Sequence, residues 1–227
     1  LDFRGVTDTA APRGFAGTLL LDPNDIHIDN STDDLQGGMF SGGIFAGGTG
    51  NPIISWATIN AQTGSLEIRT NSAASSGAGD IYLDASGTLT GPSTFTLLAN
   101  RAINFASGVV LNAGSSDVNL VAGWNNSGFS VSPGVGKNII FASNSALQTS
   151  GDVWMNAGNS VYSVDTTAVV TANKLTIGNT NGSSLPGGVD LKGVNMVNTL
   201  AVQSDGGGIL NFKNGKALTI GAGAFGI

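Results

Sequence analysis

Short apolar-x-apolar clusters recur along the chain: "DIYLD" (80–84), "TFTLL" (94–98), "AINFA" (102–106), "DVNLV" (117–121), "NIIFA" (138–142), "DVWMN" (152–156), "KLTIG" (174–178), "GVDLK" (188–192) and "ILNF" (209–212). Alternation at period two sends one set of side chains inward and the other outward, so each cluster predicts a strand. The residues between them are Gly, Asn, Ser and Asp, which tolerate the backbone of sharp corners. In "FTLLANRAINF" (95–105) two such runs are split by Asn100 and Arg101, which reads as two sides of a coil with a corner between them.

The cluster centres keep a period. Ile59, Ile81 and Ile103 are spaced by 22 and 22 residues, Leu97, Val118 and Ile139 by 21 and 21, and Val189 and Leu210 by 21. Val153, Leu175, Val197 and Leu218 are spaced by 22, 22 and 21. Interleaved series with one period describe a chain that returns to the same side once per repeat. The predicted fold is therefore all-β, a single-stranded parallel β-helix (β-solenoid) with about 21–22 residues per coil. Stacked at the strand spacing of ~4.8 Å, residues 55–227 make roughly eight coils, a rod on the order of 40 Å long.

A sandwich or barrel would need many tight hairpin turns. Asn-Gly at 181–182 and 214–215 and Asp-Gly at 205–206 are too few for that. No Leu-x-x-Leu-x-Leu frame recurs, and "GGTGNP" (47–52) lacks the Asp of the calcium-binding nonapeptide roll and does not repeat.

Composition sharpens the strand reading. Only 11% of the 227 residues are charged, Glu occurs once (Glu67), and 35 residues are Gly. A chain so poor in Glu, Lys and Arg has little with which to clothe helices. Disorder is disfavoured because 41% of residues are hydrophobic and clustered. A net charge of −6 argues against nucleic acid and anionic membrane surfaces. No run approaches the ~18 apolar residues of a membrane span. "LDFRGVTDTA" has no signal-peptide pattern, so any export signal is expected to have been removed or to lie outside this chain. Without Cys there is no disulfide scaffold, which leaves the compartment open.

The segments "GTLLLDPNDIHID" (17–29), "WATINAQTGSLEIRTNS" (56–72), "GDIYLD" (79–84), "FTLLANRAINFASG" (95–108) and "SSDVNLVAG" (115–123) resemble, as an ordered set, the repeat region of filamentous haemagglutinin-like exoproteins. These are secreted passengers of bacterial two-partner secretion systems. The resemblance implies a right-handed β-helix, export through an outer-membrane two-partner transporter, and a place in the medium or on the bacterial cell surface. The family's secretion domain carries Asn-Pro-Asn-type motifs, whereas the one Asn-Pro here is in "GNPIIS" (50–55), so the chain resembles an internal shaft segment. The family assigns no catalytic residues to such shafts.

Residues 1–54 form an N-terminal section of entering strands with a Gly-rich loop outside the coil, and residues 55–227 form the shaft. Within "NSTDDLQGGMFSGGIFAGGTGNP" (30–52), Met39, Phe40, Ile44 and Phe45 are expected to fold back over a sheet edge or the end of the helix, the alternative being a binding patch. "GWNNSGFSVSPGVGKN" (123–138) is expected to bulge from a corner.

Candidate chemistry is sparse. Asp22, Asp25, Asp29, Asp33 and Asp34 include Asp29-x-Ser31-x-Asp33, a partial calcium spacing without the Gly and distal Glu, for which turn and cap roles are the simpler reading. His27, the sole His, is expected to point outward between Ile26 and Ile28 and has no second His or Cys for a metal or triad. "SPGVGKN" (132–138) has Val131 and Asn138 where a phosphate loop needs Gly and a hydroxyl. Asp80 and Asp84, with Arg101 one coil later, share a face, while Asp117, Asp152, Asp165, Asp190 and Asp205 are dispersed. Asn100, Asn112, Asn119, Asn138, Asn156 and Asn173 fall near corners, where amides can pair between coils. Trp56, Trp124 and Trp154 fit either core or rim.

The expected function is a structural shaft of a secreted or surface adhesin, with a host or bacterial receptor or glycan as partner. No catalytic, cofactor or metal site is expected. The alternatives are a carbohydrate-active β-helix enzyme and an extracellular filament that associates end to end.

Overall fold

The computed structural model describes residues 18–22, 25–35, 39–41, 44–46, 51–70, 79–178, 185, 187–203 and 208–221. The described chain is a β-solenoid of parallel strands stacked in about six turns. Each turn visits three faces. The first carries Ile53–Ser55, Ile26–Asp29, Ile81–Leu83, Ile103–Phe105, Asn138–Phe141, Ser160–Ser163, the start of Gly188–Gln203 and Leu210–Asn214. The second stacks Thr18–Asp22, Gly64–Arg69, Pro92–Ala99, Asp117–Ala122, Asp152–Ala157, the end of Val169–Gly178, residues 199–203 and Thr219–Ile220. The narrow third face carries Gly87–Thr88, Val110–Asn112, Ala146–Gln148, residues 169–171 and residues 196–197.

The core is a set of columns along the axis. Ile26, Ile81, Ile103, Ile139, Val161 and Val189 stack in register on the first face, and each is at most 1% exposed. Leu66, Phe95, Val118, Val153, Leu175 and Leu200 form the facing column. Phe105 and Phe141 stack between turns at 4.5 Å. The strands alternate buried and partly exposed positions because every second side chain enters these columns.

The period differs from the sequence expectation wherever a corner carries extra residues. Ile81–Ile103, Val153–Leu175 and Val189–Leu210 pair as their spacing predicts. Leu97 instead pairs with Leu120, Ile139 with Ile103, and Leu175 with Leu200. Residues inserted between Ala122 and Asn138 lengthen one coil to 36 residues, from Ile103 to Ile139. Longer coils are why about six turns form rather than roughly eight.

Ile59 marks no strand. It lies in a one-turn helix, Trp56–Asn60, whose N-cap Ser55 accepts a hydrogen bond from the Thr58 amide. Asp33 reinforces this start by accepting from the Ser55 amide at 2.6 Å and the Thr58 hydroxyl at 2.5 Å. The helix takes the place of a third-face strand, and the Trp56 indole lies over the next layer. A Cβ on Gly87 would stand 2.2 Å from that ring, so only glycine lets the layers close here.

The excursion after Asp29 returns to the start of the stack. Ile53–Ser55 pairs outside Ile26–Asp29. A hairpin, Met39–Ser41 with Ile44–Ala46, lays its second strand on the outer edge of Thr18–Asp22. The backbone of residues 44–46 thus lies along a sheet edge. Residues 1–17, the tips of the 30–52 segment, the turns at 181–182 and 205–206, and residues 222–227 lie outside the described residues, as do the side chains of Met39, Phe40, Ile44 and Phe45.

The 123–137 bulge lies against the outer side of the second face. Trp124 and Val131 pack on Leu98 and Val121 there, all at most 4% exposed, with Trp154 alongside. Trp56 and Trp124 are therefore buried, Trp56 on the main core and Trp124 beneath this flap.

Candidate functional site

Two pentapeptides with one pattern, "DIHID" (25–29) and "DIYLD" (80–84), are stacked layer on layer on the first face. Their isoleucines and leucine enter the core, so the residues between and beside them form an outer ladder. His27 lies over Tyr82 with ring centroids 4.8 Å apart and planes 8° from parallel. His27 Nδ1 and Asp84 Oδ2 are 2.6 Å apart, with both side chains about one-third exposed.

Asp80 occupies the corner before the strand and is 1% exposed. Its carboxylate accepts from Arg101 Nε at 2.8 Å, the Ala102 amide at 2.9 Å and the Tyr82 hydroxyl at 2.8 Å. Arg101 Nη2 gives a further, short contact. The Asp80 amide donates to Asp25 Oδ1 at 2.8 Å, so corner carboxylates satisfy the amides of the next turn. The bond to Asp80 holds the Arg101 guanidinium above its ordinary pKa. Burial first, and then the bond to Asp80, push the Tyr82 phenol up to about 12.

The structure thus joins Asp80 to Arg101 and Asp84 to His27, with Tyr82 touching both pairs. Four donors saturate the Asp80 carboxylate, which leaves it no lone pair for a substrate. Arg101 is a half-exposed corner charge, as expected, but its guanidinium also closes a buried ion pair. Tyr82 escaped the sequence reading, although its place in the second copy of the pentapeptide marks it. His27 and Asp84 have the geometry of an oriented imidazole base. Among the described residues no hydroxyl hydrogen-bonds His27.

The partial calcium spacing is used internally. Asp29 accepts from the Ser31 amide and hydroxyl at 2.7 and 2.6 Å, an Asx turn, and Asp33 caps the helix. No group of three or more His, Asp or Glu among the described residues is placed to hold a metal ion. No helix among them is long and apolar enough to cross a membrane. Residues 132–138 form part of the flap. On the second face Glu67 lies beside Arg69; burial raises its carboxyl pKa, and the Arg69 guanidinium draws it back down.

Asn138 and Asn173 pair with an amide of another coil, whereas Asn100, Asn112 and Asn156 bond backbone groups. Asn119 bonds Thr96, Asn159 bonds Asn138, Asn173 bonds Asp152, and Asn198 bonds Asn173. The last two border a groove of about 370 Å³ at the corner between the third and second faces. Asn112, Gln148, Thr149, Ser150, Thr171 and Lys216 add to its polar lining. Comparison with protein-family models, curated proteins and solved structures finds no match.

Proposed function

We propose that the chain is a structural shaft segment of a bacterial exoprotein or adhesin, exported through an outer-membrane two-partner transporter and acting without catalysis in cell-surface attachment. The supporting observation is the regularity of the stack, in which parallel strands keep one register through successive turns and the columns Ile26 to Val189 and Leu66 to Leu200 run along the axis. A continuous core of this kind suits a rod that holds its neighbours apart and carries load along its length. Surface labelling of the producing bacterium with antiserum to the folded chain tests this reading. Label on intact cells or in the medium is expected; a chain confined to the cytoplasm overturns it.

A carbohydrate-active enzyme is the second reading, favoured by the His27–Asp84 pair. It requires polysaccharide cleavage that is lost in His27→Ala.

A further inference from the structure

We propose that the corner groove between the third and second faces binds a glycan chain lying along the rod axis. The groove arises from how the corner changes between layers. Residues 113–116 turn this corner after Val110–Asn112, and residues 149–151 turn it after Ala146–Gln148. In the next two layers single strands, Val169–Gly178 and Gly188–Gln203, run straight through. A corner that tightens layer by layer leaves a recess with a packed floor, where Thr149 and Ala172 are 5% and 2% exposed.

The walls are chemically uniform. Asn112, Gln148, Thr171 and Asn198 come from four successive layers, and among the described residues no carboxylate or aromatic ring lines the groove. Much of their hydrogen-bonding capacity is unused among the described residues. Gln148 makes no side-chain bond, and neither does the Thr171 hydroxyl. Asn112 uses only its oxygen, for the Gly114 amide, and Asn198 only its nitrogen, for Asn173. Exposed amides carry paired donors and acceptors, the complement of vicinal hydroxyls. Layers repeat at the strand spacing of ~4.8 Å, close to the length of one pyranose unit, so a linear glycan meets about one amide or hydroxyl per sugar. Lys216 closes the far end, and its ammonium has no carboxylate partner among the described residues. It would favour a uronate at that position, while the amides read neutral hydroxyls. This assignment concerns the side of the rod and is independent of where the protein resides.

Calorimetric titration of the folded chain with cellohexaose, maltohexaose and hexagalacturonate tests it. Saturable binding of at least one hexasaccharide is expected, weakened about fivefold by Gln148→Ala and again by Asn198→Ala. Asn104→Ala, on the first face, should bind as the parent does. Lys216→Ala should weaken only the uronate. The side chains of Gln148 and Asn198 are exposed, so these variants should fold, which circular dichroism verifies. Absence of saturable binding for all three sugars, or affinity unchanged in both amide variants, overturns the proposal. Surface labelling is a separate readout, so failure of this site and failure of the shaft reading are distinguishable.

Discussion

Asp80 and Arg101 grip each other across one turn of the solenoid, with the carboxylate side chain 2% exposed and the guanidinium 47% exposed. The pair is therefore asymmetric. Removing the arginine strands a buried carboxylate on the Tyr82 hydroxyl and the Ala102 amide. Arg101→Ala should cost about 2–4 kcal/mol, the usual penalty for a broken buried pair being reduced by the water that already reaches the arginine. Asp80→Asn combined with Arg101→Ala should recover part of that loss in urea unfolding, because no buried charge is left alone. Equal stability of the double variant and Arg101→Ala would argue against this account.

Tyr82 predicts a loss of stability in alkali. Its folded-state pKa of about 12 lies above the ordinary value of 10.0. The folded form therefore holds its proton where the unfolded form has released it, and stability falls as pH rises between those values. The contribution is fully present below the ordinary value. Thermal melts of the parent should drop through this window, and Tyr82→Phe should flatten that part of the curve. The tyrosinate absorbance that is lost in Tyr82→Phe should be absorbance that appears late in the alkaline titration of the parent.

Gly87→Ala should destabilise by about 1–3 kcal/mol, since the added carbon must displace the Trp56 ring. Trp56→Ala alone leaves a cavity beside Phe95 and frees the Ala85 carbonyl, at about 3–5 kcal/mol. The two should be non-additive in chemical denaturation, because removing the indole opens the space that the new methyl needs.

The flap over the second face is held by Trp124, whose ring also carries Arg69 at 5.1 Å. Asn156 supports it by donating to the Phe129 carbonyl at 3.0 Å. Trp124→Ala should uncover Leu98 and Val121 and speed proteolysis within 125–130, with an overall loss of about 3–5 kcal/mol. Arg69→Ala removes this cation–π contact together with the partly buried ion pair to Glu67 at 3.6 Å, and should cost about 1–2 kcal/mol.

Strand clusters and the inward or outward sense of their residues were legible because burial imposes period two on a half-buried strand. "DIYLD" and "AINFA" sit on one face as their spacing predicts, whereas "NIIFA" joins them there and not the face of Leu97 and Val118. Register was legible only between clusters joined by plain corners. A 36-residue coil keeps Ile139 over Ile103 in space while it breaks the interval in sequence. The "WATIN" helix was missed because its Trp and Ile imitate a strand cluster, and the capping by Asp33 comes from a residue 22 positions before Ser55. His27, Asp80, Asp84 and Arg101 were all visible, but their pairing depends on the stacking of layers. Gln148, Asn198 and Lys216 carried no local signal, since their groove exists only through the changing corner of successive turns.

The direction of the hydrogen bonds has a mechanical consequence. Strands lie across the rod, so the bonds between turns point along it and meet axial tension end on. A pull on the rod should peel it one coil at a time, each release freeing a length set by the residues in that coil. The coil from Ile81 to Ile103 holds 22 residues and the next holds 36, which free about 75 Å and 120 Å of extended chain. Unequal steps of this kind would record the corner insertions as a force signature, and the Asp80–Arg101 clasp would resist at the first of them.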